Sequence, residues 1–207
     1  MKATTLCLLA GLAVAAPAAA QDDALSFRPF VVGTIESFAA IDSFNAVFGR
    51  TYQPFLGGGL QVMQGSYFLE LTASQMNQTG QRAFINNGQS FRLGIPLTAK
   101  ILALEATAGY RYRLSPRVMP YGAAGVGLYR YQQNSDFDEA GDNVDTRHTG
   151  FIVNGGAEFR VARWVGVAAD VQYTHVPGIL GSAGVSRQAN ENDLGGISGR
   201  LRVIIGR

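Results

Sequence analysis

Trp164-Val165-Gly166-Val167-Ala168-Ala169-Asp170-Val171-Gln172-Tyr173-Thr174 is the stretch that decides the fold. Val165, Val167, Ala169, Val171 and Tyr173 share one face of an extended chain, and Gly166, Ala168, Asp170, Gln172 and Thr174 share the other. A period of two marks a β-strand whose faces meet different surroundings. The same alternation recurs. Tyr67, Leu69, Leu71 and Ala73 oppose Glu70, Thr72 and Ser74; Leu102, Leu104, Ala106, Ala108, Tyr110 and Tyr112 oppose Glu105, Thr107, Gly109 and Arg111. Further along, Phe151, Val153, Ala157, Phe159 and Val161 oppose Asn154, Gly156, Glu158 and Arg160. Ile197, Leu201, Val203 and Ile205 oppose Ser198, Arg200 and Arg202.

Between such segments the breaks alternate in length. Short ones fall at 64–66, 115–117 and 162–163, and long polar ones at 41–51, 77–94, 135–147 and 177–192. Four long and three short connections need eight strands, near 27–40, 52–63, 66–76, 97–114, 118–133, 149–161, 164–176 and 193–206. With both termini inside, every long break falls on the outer side, the habit of barrels that span an outer membrane. Apolar residues within 81–95 (Phe84, Ile85, Phe91, Leu93) would let the third and fourth strands extend beyond the membrane. The first, second and fifth strands alternate less cleanly, because glycines and alanines blur their faces. The reading is all-β: an eight-stranded antiparallel up-and-down transmembrane β-barrel.

Cost orients the faces. A charge near the lipid midplane costs a few kcal/mol, whereas charges in a lumen can pair. Glu36, Glu70, Glu105, Arg111, Glu158, Arg160, Asp170, Arg200 and Arg202 are therefore expected inside, and the valines and leucines outside. Eight strands enclose a space that side chains just fill. The nine charges then read as a static polar plug, or as a gate whose pairs rearrange to pass ions. Tyr67, Tyr110, Tyr112, Tyr121 and Trp164 near short turns, and Tyr129, Tyr131, Phe151 and Tyr173 near long ones, are expected as two interfacial girdles.

Composition agrees. Charged residues are 15% of the chain, below the roughly 25% of soluble domains. A net charge of +2 and scattered arginines without an aromatic platform argue against nucleic acid. No later stretch is apolar for the ~18 residues a membrane-spanning helix needs. Residues 1–20 read as a cleaved signal peptide: Lys2, an apolar run from Leu6 to Ala16, then Pro17-Ala18-Ala19-Ala20. An uncleaved anchor is the alternative. The barrel domain then occupies 21–207 and holds no cysteine, because Cys7 lies in the leader, too early for lipid attachment.

Signals for chemistry are sparse, and neither a cofactor nor a metal is expected. The acidic loop from Asp136 to Asp145 loosely echoes a calcium loop, but Ala140 replaces a ligand and Arg147 stands where a bidentate acid belongs. The segment is expected instead as a solvated loop touching cations that bridge lipopolysaccharide. His148 and His175 lack partners at metal spacing. Ser182 or Ser186 with His175 and Glu191 is the one hydrolytic trio that can be drawn. Gly57-Gly58-Gly59 and the glycines at 122, 125 and 127 open no phosphate-binding helix and read as close strand packing.

Met119-Pro120-Tyr121-Gly122-Ala123-Ala124-Gly125-Val126-Gly127-Leu128-Tyr129, Asn154-Gly155-Gly156-Ala157-Glu158-Phe159 and Asn192-Asp193-Leu194-Gly195-Gly196-Ile197-Ser198-Gly199-Arg200-Leu201 resemble the outer-membrane β-barrel domain family. Its small barrels are similar to outer membrane protein A and outer membrane protein X. The resemblance covers essentially the whole mature chain and implies an outer-membrane location and insertion by the barrel-assembly machinery. One departure is the ending Ile204-Ile205-Gly206-Arg207, where such chains commonly place an aromatic residue. No peptidoglycan-binding domain is expected after the barrel.

The functional expectation is a non-enzymatic, monomeric wall protein that contacts outer-membrane lipids and lipopolysaccharide and presents its long loops outside. The rivals are a soluble periplasmic lipocalin-like barrel, a narrow ion channel and a lipid A-modifying enzyme.

Overall fold

The computed structural model describes residues 25–86, 89–135, 144–181 and 184–206; the expected leader lies outside them. Eight strands follow in chain order: β1 (Ser26–Phe38), β2 (Tyr52–Gln64), β3 (Tyr67–Asn86), β4 (Gln89–Arg111), β5 (Val118–Ser135), β6 (Val144–Ala162), β7 (Val165–His175) and β8 (Gly196–Ile205). Each pairs antiparallel with the next, and β8 pairs with β1, Val203 opposite Val31, so the sheet closes. Closure satisfies the backbone within the sheet and leaves no edge, the condition for β-structure in lipid.

The faces sort as the alternation predicts. Leu201 is 64% exposed and its neighbour Arg202 only 2%. Val31, Leu56, Leu71, Val126 and Val171 are exposed around the circumference, while Glu70, Glu105, Glu158, Asp170 and Arg200 are buried. A water-soluble lipocalin-like barrel would show the reverse, so that rival falls.

Three expectations are corrected. The break at 77–94 is the strand extension that its apolar residues allowed, not a loop. β3 and β4 stay paired to Asn86 opposite Gln89, with an irregularity between Gln81 and Ala83. Their 20 and 23 residues far exceed the ~9–11 a tilted strand needs to cross. One face of this extension packs against residues 41–48 and 184–188 and the other is exposed; neither meets lipid, so the contrast that marks the membrane-crossing strands is missing from its sequence. Tyr121, Tyr129 and Tyr131 belong to no girdle. They point inward, Tyr129 and Tyr131 buried at 6% and 8%, whereas Tyr67, Tyr110, Tyr112, Trp164, Phe151 and Tyr173 do face outward. The long breaks at 41–51 and 177–192 also hold helices, α1 (Ile41–Phe48) and α2 (Gly184–Gln188).

Tight coiling of the strands explains one glycine. A Cβ at Gly125 would stand 2.0 Å from the Ala106 carbonyl oxygen on β4. Gly125→Ala is expected to force β4 and β5 apart and destabilise the barrel by ~1–3 kcal/mol, as overpacking does. The urea midpoint, read by loss of heat-modifiable gel mobility, checks this.

Candidate functional site

Alternation sends every second side chain of eight strands into one narrow tube, where the charges meet. Arg111 lies 3.5 Å from Glu158, and both terminal nitrogens of Arg28 grip the same carboxylate, Nη1 at 3.0 Å from Oε2. Arg28 also donates to Gln61 (3.0 Å), and Gln61 donates to Glu70 (3.2 Å). Arg202 bridges Glu70 to Asp170, whose Oδ2 lies 3.0 Å away, and its guanidinium stands 5.5 Å from the Phe30 ring and 5.1 Å from that of Tyr121. The Tyr121 hydroxyl and Arg200 Nε each donate to Asp170 at 2.6 Å. Arg200 reaches Glu105 at 3.8 Å; Glu105 accepts from the Tyr129 hydroxyl (2.8 Å) and from Gln172 (3.1 Å).

The result is one chain of contacts with four guanidiniums (Arg28, Arg111, Arg200, Arg202) and four carboxylates (Glu70, Glu105, Glu158, Asp170). Gln61 brings in β2, and Tyr121 and Tyr129 bring in β5, so every strand contributes. Buried charges demand such pairing, and the planar arginine fork serves two acceptors at once. Glu36 lines the same small cavity as Glu105 and Arg200 but makes no ion pair among the described residues. Arg160, expected in the network, is half-buried and likewise makes none among the described residues. That cavity holds about 20 Å³, space for roughly one water.

Arg28 was not legible as a network member. The inward face of β1 is otherwise Phe30, Val32, Thr34, Glu36 and Phe38, while Phe27, Val31 and Ile35 face out, so both faces look apolar. Tyr121 and Tyr129 could have been found by parity, since they share the inward positions of β5 with Met119 and Ala123.

Above the charges lies an apolar stopper. Phe44 of α1 stacks on Phe38 at 3.9 Å between ring centroids, and Phe55, Ile101, Val176, Ile179 and Leu194 complete the layer. The helix that carries Phe44 is held at both ends. The Glu191 carboxylate accepts from the Asp42 and Ser43 amides (3.0 and 2.9 Å) and from the Ser43 hydroxyl (2.5 Å). Arg92 donates to the Ala46 and Asn45 carbonyls (3.0 and 3.1 Å). An acid at the N-terminus and a base at the C-terminus complement the helix dipole. Glu191→Ala is expected to loosen the lid locally by ~1–3 kcal/mol, the range of charge-assisted bonds. Faster amide exchange across 42–48, with the barrel strands unchanged, is the readout.

The remaining candidates separate. His175 Nδ1 lies 2.5 Å from Asp193 Oδ2, while Asp193 Oδ1 accepts from the Val176 and Gly195 amides, folding the 177–194 loop over the mouth. Glu191 is turned to α1, the Ser186 hydroxyl accepts from the Gly181 amide (3.0 Å), and Ser182 lies outside the described residues. The hydrolytic trio is therefore not assembled around His175. Most of the acidic loop, 136–143, also lies outside the described residues. Asp145 pairs with Arg130 (Nε 2.8 Å, Nη2 2.5 Å); that hydrogen bonding holds its carboxyl below the ordinary carboxylate range, so the pair is ionised at neutral pH. Among the described residues no group of three or more His, Cys, Asp or Glu side chains could hold a metal ion.

Solved structures share this frame. Neisserial surface protein A is 14% identical, with 87% of this chain and 94% of that chain covered and a TM-score of 0.52. The N-terminal β-barrel domain of Pseudomonas aeruginosa OprF is 13% identical, with 88% and 97% covered and a TM-score of 0.51. Ail, the attachment invasion locus protein of Yersinia pestis, solved in complex with the heparin analogue sucrose octasulfate, is 11% identical, with 87% and 97% covered and a TM-score of 0.50. At such identities the likeness is one of fold. No curated protein matches the sequence. The family model for the outer membrane protein beta-barrel domain matches residues 5–196. A closed eight-stranded barrel, lipid-facing valines and leucines, and a match over most of its length place the chain in the outer membrane protein beta-barrel domain family, as a protein of the Gram-negative outer membrane.

Proposed function

We propose that this protein is a sealed, non-enzymatic wall element that offers its outer end to surface interactions. The observation that carries this is the lumen: eight balanced charges tied into one chain, with about 20 Å³ of free space beside them. Ions need a continuous wet path, and the Phe38–Phe44 layer closes the outer mouth as well. Surface interaction is supported by a cleft of about 240 Å³ between α1, the 177–194 loop and the β3–β4 extension, lined by Phe48, Leu93, Tyr131 and Val185. Concavities that set polar groups, here Ser43, Arg82 and Gln133, among apolar ones are where ligands and partners settle. In this reading residues 1–20 are removed on export, the barrel-assembly machinery inserts the chain, and it works as a monomer among lipids and lipopolysaccharide.

Planar-bilayer recording tests the seal. The wild type is expected to give no discrete conductance. Steady openings whose ion selectivity changes in Arg200→Glu would establish the channel instead. Lipid A acylation is expected to be the same in His175→Ala cells as in wild type; an altered pattern would restore the enzyme.

A further inference from the structure

We propose that the outer surface of β2–β6 binds one phosphorylated, acylated lipid of the outer leaflet, its phosphate on Lys100 and Arg147 at the outer ends of β4 and β6 and an acyl chain in the groove that runs from there toward β2. This goes beyond the sealed lumen and does not depend on it. The groove is an open depression of about 580 Å³ on the barrel exterior. Gly58 opposite Ala73, and Ala106 opposite Leu71 and Val126, make its floor, with Leu104 and Leu128 beside them. It opens sideways toward hydrocarbon, so an acyl chain is the occupant its chemistry suits.

Charge completes the site. Moving outward along the same face, the row Leu104–Leu128–Thr149 gives way to Leu102–Arg130–Arg147 and then to Lys100–Gln132–Asp145. Arg130 and Arg147 stand directly opposite each other across β5 and β6, an arrangement that destabilises a sheet unless something neutralises it. Asp145 neutralises Arg130. Lys100 and Arg147 are exposed and make no ion pair among the described residues. Height fits as well. Tyr110, exposed near the inner turns, and Lys100 are ten residues apart on β4, ~33 Å along the strand. At a tilt of about 35–45° this rises ~25 Å, the height of the apolar band. Arg147 shares the field of Asp145 with Arg130; the two exposed cations, on β4 and β6 with β5 between them, thus stand where headgroups begin, and an ammonium and a guanidinium each suit phosphate.

The test is native mass spectrometry of the folded barrel in uncharged detergent, titrated with bisphosphorylated lipid A. One retained equivalent is expected. Lys100→Gln/Arg147→Gln, which alters only outward side chains beyond the apolar band, is expected to weaken retention ~30-fold, two basic contacts being lost. Ala106→Trp, which fills the groove, is expected to weaken it with the charges intact. Unchanged heat-modifiable mobility shows that each variant is folded. Two arms need no variant: dephosphorylated lipid A should bind at least ~10-fold more weakly, and excess inorganic phosphate should not displace the lipid. The proposal is overturned if the wild type retains no lipid, if the dephosphorylated form binds equally, if inorganic phosphate competes it away, or if the double variant binds as the wild type does.

Discussion

Arg202→Met is expected to cost about 3–5 kcal/mol of folding stability, the usual result of removing one partner from a buried ion pair. Arg202 is 2% exposed and holds Glu70 and Asp170 at once. Without it, Asp170 keeps Arg200 and Tyr121, but among the described residues Glu70 keeps only Gln61. Methionine fills similar space between Phe30 and Tyr121 but leaves a carboxylate stranded. Adding Glu70→Gln is therefore expected to return part of the loss, with a coupling of about 1–3 kcal/mol between the sites. Unfolding of the purified barrel in lipid vesicles by urea gives all four corners of the cycle. Strict additivity would show that the two side chains do not act together.

Leu201→Arg tests the other face. Leu201 lies in the middle of β8, opposite Gly33 and Ala169 and exposed on the exterior. An arginine near the midplane costs ~2–4 kcal/mol, falling to ~0–1 near the interface. Gln64→Arg, at the exposed inner end of β2, is the depth control. Equal costs at 64 and 201 would mean that this surface does not sit in hydrocarbon.

What the sequence disclosed depended on contrast between the faces. In β3, β4, β6, β7 and β8 a charge or amide alternates with a branched or aromatic residue, and the orientation of the faces follows; register, and with it the pairing of the charges, does not, because it is set by contacts between distant strands. Of the nine charges expected inside, seven join the ion-pair chain, Glu36 faces its cavity, and Arg160 stays apart toward the inner mouth. β1 hid Arg28 because apolar residues fill both of its faces. The stopper was missed for a different reason. Phe44, Val47 and Phe48 sit at helical spacing before Gly49, whose φ of 73° ends α1, but the segment falls inside a polar break, where pattern alone points to a loop. Nor could local pattern show that Glu191 and Arg92, distant in the chain, would hold that helix from either end.

The seam between β1 and β8 bears on how the molecule comes into being. It joins the first strand to the last, and the pairs Arg28–Glu158 and Arg202–Glu70 lie 130 and 132 positions apart. The seam and the Arg202–Glu70 pair cannot form until β8, the last strand, has been delivered across the inner membrane, and the Arg28–Glu158 pair waits for β6. Until then the future interior carries unmatched charges, and the two terminal strands offer bare amides. Such long-range wiring makes assembly slow, and a fragment ending before β8 has no way to shut. The ion-pair chain thus becomes a checkpoint for completeness: only the full set of strands brings each of its eight charges a counterpart.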